Sequence, residues 1–226
     1  MYNVCLSSEI YRLAPEDLLA LPDAPAEKKD SHLHDDVVIL IGDEKKQLSD
    51  TLLKGREAAE RAIAEKQSFI PVRIAFEPRT GKFDFLSPLV RALRYKHKSF
   101  SPNIYHTDPF DIRRLKIERS FRTRENAYTF TKKKNRLAEN MRSRLYEELY
   151  NSMKEKGFDD RFPIEIMLCR SLGVQDTVDQ GHHRMSVAID CGLPRIAVRF
   201  GAAGKAPRLL QPLFRLIARL SLFFKH

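Results

Sequence analysis

Asp179-Gln180-Gly181-His182-His183-Arg184 is the stretch on which the reading of this chain turns. It lies between a strand pattern at Val174 to Asp179, opened by Gly173, and a helix pattern at His183 to Cys191, with Met185, Ala188 and Ile189 on one side. A glycine at such a junction lets the backbone approach a ligand closely. The start of a helix offers unpaired N–H groups and a partial positive charge, both favourable to phosphate. Two imidazoles and a guanidinium add side-chain donors, and arginine can hold phosphate oxygens in bidentate fashion. A competing reading makes His182 and His183 surface residues of a helix cap.

The flanking residues extend the pattern. Upstream, Arg136 to Lys156 is a long helical stretch in which Leu145, Leu149, Ser152 and Met153 share a face, and Gly157 ends it. Pro163 to Cys169 reads as a strand. Downstream, Gly192 caps the helix and Pro194 to Phe200 alternates as a closing strand. Further towards the N-terminus, Asp108-Pro109 marks the start of a new element.

This order of elements, with Gly181-His182-His183-Arg184 opening the helix, resembles the core of the ParB/sulfiredoxin superfamily. In that superfamily a short Gly-x-x-Arg motif binds nucleotide phosphates. ParB-type proteins, which bind CTP and DNA, use Gly-Glu-Arg-Arg, and sulfiredoxins, which bind ATP, use Gly-Cys-His-Arg. Archaeal free-serine kinases of this fold use a related histidine-containing version. The resemblance covers Tyr146 to Phe200, and more if Asp108-Pro109 opens the same domain. It implies ATP or CTP with Mg2+ as ligand, with Gly181, His182, His183, Arg184 and Ser152 in contact with the nucleotide. It also implies catalytic roles for Arg184, His183 and Asp179 should phosphoryl transfer to a small molecule take place. The sulfiredoxin nucleophile would fall at His182, which excludes that chemistry. Histidine-containing members carry an acid directly before the glycine, where this chain has Gln180. Its acid, Asp179, stands one residue earlier, which on a regular strand reverses the side-chain direction.

The N-terminal part reads as a separate α/β extension. Residues 1–30 suggest a short leader element, with Pro15 to Leu21 as a helical turn and Pro22 to Ser31 as an exposed loop. Val37 to Ile41 is an apolar run of strand length. A helix is expected from about Leu48 to Ile63, capped near Asp50-Thr51, followed by a strand over Gln67 to Phe76 and a turn at Pro78 to Gly81. The expected organisation is therefore an α/β or α+β fold. Residues 1–105 form the extension, 106–203 a ParB/sulfiredoxin-like domain with a small mixed sheet and flanking helices, and 204–226 an amphipathic helix.

Charge and composition bound the partners. The net charge of +10 is uneven. Residues 91–146 hold 16 Lys/Arg against 5 Asp/Glu, and residues 195–226 hold 7 against none. Such segments attract polyanions. Tyr95, Phe100, Tyr105, Phe110, Phe121, Tyr128 and Phe130 interleave with the first basic segment, as in single-stranded nucleic-acid binders, although aromatics so spaced also build cores. From Pro207 to His226 the chain is apolar with Arg208, Arg215, Arg219 and Lys225 as its only charges. That pattern suits either an anionic membrane surface or packing on the domain. Cys5, Cys169 and Cys191 are too few and too scattered for a disulfide framework or a zinc ribbon. His32, His34, Asp35 and Asp36 cluster in a loop pattern, and no metal site is expected. No run reaches the roughly 20 apolar residues of a membrane span, and no signal peptide pattern opens the chain. The expectation is a cytoplasmic protein, peripheral at the inner face of the cell membrane if the C-terminal helix docks there. An alternative function is a non-enzymatic, nucleotide-gated module acting on DNA or at a membrane surface.

Overall fold

The computed structural model describes residues 4–25, 36–77, 99–117, 136–172 and 175–202, together with Pro212. Two mixed sheets and their helices make an α+β architecture. The first sheet is built from β1 (Cys5–Leu13), β2 (Val38–Leu40), β3 (Thr51–Lys54) and β4 (Ile70–Phe76), in the order β1-β4-β2-β3. α1 (Pro15–Leu19) follows β1 and α2 (Arg56–Ala64) precedes β4. The second sheet contains β5 (Ser99–Phe100), β6 (Tyr105–Thr107), β7 (Lys116–Ile117), β8 (Ile164–Leu168), β9 (Thr177–Gln180) and β10 (Ile196–Ala202). α3 (Pro109–Arg113), α4 (Arg136–Lys156) and α5 (His182–Asp190) belong with it. β8 and β10 run parallel at its centre, and β9 lies antiparallel to β8. β5 and β6 both pair with β10 along its other edge.

β1 is a nine-residue strand where the sequence suggested only a leader. Its polar middle, Ser7-Ser8-Glu9, hides the alternation that Tyr11 and Leu13 carry towards the core. The register against β4 shifts between Leu6 and Ile10, and there Ile74 N–H donates to the Ser7 hydroxyl at 3.2 Å. A side chain thus replaces a carbonyl in the ladder, as bulged edge strands allow.

The expected helix from Leu48 is corrected at its start. Thr51–Lys54 is a strand, paired antiparallel to β2, and the helix begins only at Arg56. Gly55 makes the break with φ +102°, and a Cβ there would meet the Asp36 carbonyl oxygen at 2.6 Å. The heptapeptide before it is apolar enough for either structure, and pairing with β2 decides. On α4 the buried face is Tyr146, Leu149, Tyr150 and Met153, one position round from the expected Leu145, Leu149, Ser152 and Met153. Leu145 and Ser152 are exposed. On this face Tyr146 also donates to Asp190 at the end of α5. Other boundaries follow the sequence closely. Asp108 caps α3 by accepting from Phe110 N–H at 2.8 Å, with Pro109 at the first helical position.

The two sheets share one apolar core, and β5 and β6 carry residues 99–107 into the second sheet across the expected boundary at 105/106. Phe200 of β10 lies at its centre, 4.9 Å edge-on from Tyr11 of β1 and 5.6 Å from Tyr105 of β6. Both tyrosines turn their hydroxyls to buried carboxylates across the seam. Tyr11 donates to Asp176, just before β9, at 2.9 Å, and Asp176 also accepts Ser8 N–H and Cys169 N–H. Tyr105 donates to Asp50, just before β3, which also accepts the Ser101 hydroxyl and Gly42 N–H. Each half therefore offers a tyrosine to the other half's aspartate.

Candidate functional site

β8, β9 and the N-terminus of α5 meet at the motif. β9 pairs Gln180 with Glu165 but Val178 with Ile166, which leaves Asp179 as the additional residue of a bulge. The regular alternation stops there: Thr177, Val178 and Asp179 are all buried and Gln180 is exposed. The sequence argument that Asp179 must point away from the Gln180 position holds only for an unbulged strand.

Gly181 takes the left-handed conformation, φ +87°, and its carbonyl accepts the first helical bond from Met185 N–H at 2.9 Å. A Cβ at this position would stand 3.1 Å from the Ile164 Cα and 3.2 Å from Arg184 Nη2. Packing against β8 is therefore reason enough for the glycine. Arg184 folds back over it. Its Nη2 donates to the Pro163 carbonyl at 3.1 Å, and the guanidinium carbon lies 6.0 Å from the Phe162 ring. Burial pushes its pKa down, while the carboxylates of Glu165 and Asp159 pull the other way. Arg184 Nε is buried and has no hydrogen-bond partner among the described residues. An orphaned donor on a cation costs on the order of 1–3 kcal/mol or more, so packing does not explain this nitrogen.

The structure brings Asp179, Gly181, His182, His183 and Arg184 together at one end of α5, with both imidazoles half-buried in its first turn. Ser152 is exposed and off the buried face of α4, so packing does not direct it to this corner. The fit to a magnesium nucleotide is accordingly partial. The helix N-terminus and Arg184 suit phosphate oxygens, but no group of three or more metal-ligating side chains stands among the described residues to hold the ion independently of the phosphates.

Sequence reasoning did not single out a second polar cluster. His106 on β6 has Nδ1 3.1 Å and 3.2 Å from the two carboxylate oxygens of Asp17 on α1, and Nε2 3.0 Å from Asp160. The bond to Asp17 is the main cause raising its pKa, against burial, and Asp160 adds to the rise. Arg195 reaches the same Asp17 at 3.7 Å. These residues lie 89 and 54 positions from His106 along the chain, so no local motif announces them.

Of the basic belt, residues 91–98 and 118–135 lie outside the described residues, as do His32, His34, Asp35, the turn at Pro78 to Gly81 and, apart from Pro212, the segment 203–226. No helix among the described residues is long and apolar enough to cross a membrane. No protein-family model, curated protein or solved structure matches the chain.

Proposed function

We propose that the chain binds a nucleoside triphosphate, ATP or CTP, with its phosphates at the first turn of α5. The observation that carries this reading is Arg184: a guanidinium folded against a left-handed glycine at a helix N-terminus, with one N–H buried and unanswered. An anion at the helix start would accept that N–H along with the terminal amides. His182 and His183, in the same turn, would add donors to the phosphates. Charge neutralisation beyond what Arg184 and the two histidines supply would come from a magnesium ion carried in with the nucleotide. In the enzymatic version of this reading, a small molecule would accept the terminal phosphoryl group, Arg184 would stabilise the transferring charge, and Asp179 or His183 would take the acceptor's proton.

The test is thermal unfolding of the full chain with ATP, CTP, GTP and UTP, each with Mg2+. A ligand at 100 times its Kd adds about 2.7 kcal/mol to the stability of the folded form. The expected outcome is a raised melting point with ATP or CTP that Arg184→Ala and His183→Ala abolish. No rise with any of the four in the wild type would end the proposal. Nucleotide consumption that depends on a small acceptor identifies an enzyme, whereas binding without consumption identifies the gated module.

A further inference from the structure

His106 lies where three segments meet, and both nitrogens of its ring face carboxylates. Asp17 of α1 stands 3.1 Å from Nδ1, and Asp160, in the turn between α4 and β8, stands 3.0 Å from Nε2. A neutral imidazole has one N–H and one lone pair, whereas both nitrogens donate in the cation. Two ionised carboxylates are therefore answered together only by the protonated ring. The other charges around it are accounted for. Arg195, before β10, reaches Asp17 at 3.7 Å as a second cation. Arg161, next to Asp160, is committed to Asp159, and Glu16, next to Asp17, is exposed. Ala14 and Ala197, the backbone neighbours of His106, bring no charge.

The two carboxylates are not held equally. Asp17 is 14% exposed and also accepts the backbone N–H of His106 at 2.6 Å, so α1 and β6 stay joined whatever the charge on the ring. Asp160 is 56% exposed and has no such second tie to His106. A ring that loses its proton keeps the N–H on Nδ1 for Asp17 and turns a lone pair towards Asp160, which repels it. Asp160 is therefore the contact that opens. Asp17 first, and Asp160 after it, raise the pKa of the ring against burial, so the opening falls above the ordinary 6.5.

Asp160 belongs to a stiff turn. Phe162 N–H donates to the Asp159 carbonyl at 3.0 Å and Arg161 N–H to the Asp159 carboxylate at 3.1 Å, while Phe158 packs on the core at the start of the turn. Its far end is Pro163, whose carbonyl accepts from Arg184 Nη2, and Phe162 supplies the ring over which that guanidinium lies. We infer that His106 is a proton switch for Arg184: the cation holds the turn that carries both supports of the guanidinium, and loss of the proton releases that turn. The consequence for ligand binding rests on the nucleotide reading given above: a less ordered Arg184 holds phosphate less tightly as pH rises.

The test is carbon-detected NMR of the full chain between about pH 6 and about pH 9, following the His106 ring, the Phe162 ring and the Arg184 guanidinium carbon together. In wild type the Phe162 and Arg184 signals move with the midpoint of the His106 ring, and the neutral ring carries its proton on Nδ1. In Asp160→Asn they stay still, because an amide offers its oxygen to the cation and its N–H to the neutral ring. In His106→Gln, which never carries charge, they stay still as well. The switch is overturned if Phe162 and Arg184 do not follow His106 in wild type, if they follow it equally in Asp160→Asn, or if the neutral ring carries its proton on Nε2. Calorimetry with ATP and CTP, each with Mg2+, at the two ends of the range separates the switch from the nucleotide reading. Wild type loses about threefold more affinity at the higher pH than Asp160→Asn does, the factor for about a third of molecules keeping Arg184 in place, and any titration of His182 and His183 is common to both. No binding in any sample overturns the nucleotide reading and leaves the switch to the resonances. An equal loss in the two proteins overturns the control of binding by His106.

Discussion

Asp50 and Asp176 do the same job at two places on the seam and do it with different partners. Each is fully buried, accepts from a tyrosine of the opposite half, and has its carboxyl raised above the ordinary range by burial, against the hydrogen bonds it receives. Asp176 is held by two backbone amides, Ser8 and Cys169, besides Tyr11. Asp50 is held by one amide, Gly42, and two hydroxyls, Ser101 and Tyr105, with Arg199 near enough to favour its charge. A hydroxyl can rotate to another acceptor, and Ser101 has the Asn103 carbonyl at 3.1 Å. A main-chain amide has no such freedom. The Asp176 seam is therefore built largely into the backbone of β1 and the β8 end, while the Asp50 seam rests mainly on side chains.

The largest expected effect follows directly. Asp176→Ala strands the buried Cys169 amide and Tyr11 hydroxyl and the part-buried Ser8 amide, and should cost about 3–5 kcal/mol at about 1–3 kcal/mol per buried donor left unanswered. Asp50→Ala should cost less, about 2–3 kcal/mol, because Ser101 finds its other acceptor. Urea unfolding of the two variants ranks them, and the reverse order would refute the distinction between amide and hydroxyl donors. The tyrosines invert the ranking. Tyr105→Phe leaves Asp50 with a single amide and one hydroxyl, and should cost about 1.5–3 kcal/mol. Tyr11→Phe leaves Asp176 its amides and falls at the low end of that range.

A smaller effect lies in pH. A carboxyl whose folded pKa is raised binds its proton more tightly folded than unfolded. Its stabilising contribution is complete below the ordinary carboxyl value of 3.8 and is lost as pH rises through the folded value. Wild type should therefore gain stability relative to Asp50→Asn as pH falls from 7 towards 4. His106 obeys the same sign at higher pH. Its pKa is raised, mainly by Asp17, so its contribution is full below the ordinary 6.5 and fades as pH rises through the folded value. The difference in melting point between wild type and His106→Gln should shrink from pH 5.5 to pH 9. This is the smallest effect of the set, because Asp160 on one side of the ring is 56% exposed and solvent screens that contact. A difference that grows with pH would place the neutral ring, not the cation, in the clamp.

Much of the second sheet was legible. Arg136 to Lys156, Ile164 to Leu168 and the helix after Gly181 have apolar periods of the right kind and a glycine or proline at their limits. Less of the first sheet was. Ser7-Ser8-Glu9 interrupts β1, and Leu52-Leu53 reads equally as helix or strand until β2 lies beside it. At the candidate corner Asp179, Gly181, His182, His183 and Arg184 are neighbours along the chain, whereas Ser152, grouped with them by resemblance, is exposed on α4; that Arg184 turns back onto Pro163, and that a bulge sets Asp179 out of register, was not legible.

Local events are readable along the chain: where glycines and prolines break it, which short runs are apolar, and that Gly181-His182-His183-Arg184 opens a helix. Those are decided by neighbours within a few residues. Which polar side chains are buried together depends instead on how the two sheets close. Tyr11 with Asp176 and Tyr105 with Asp50 are 165 and 55 residues apart. An aspartate that will sit in a core looks, along the chain, like one that will sit in water. The cost of burying it, and the partners that offset that cost, exist only once the two sheets have closed over Phe200.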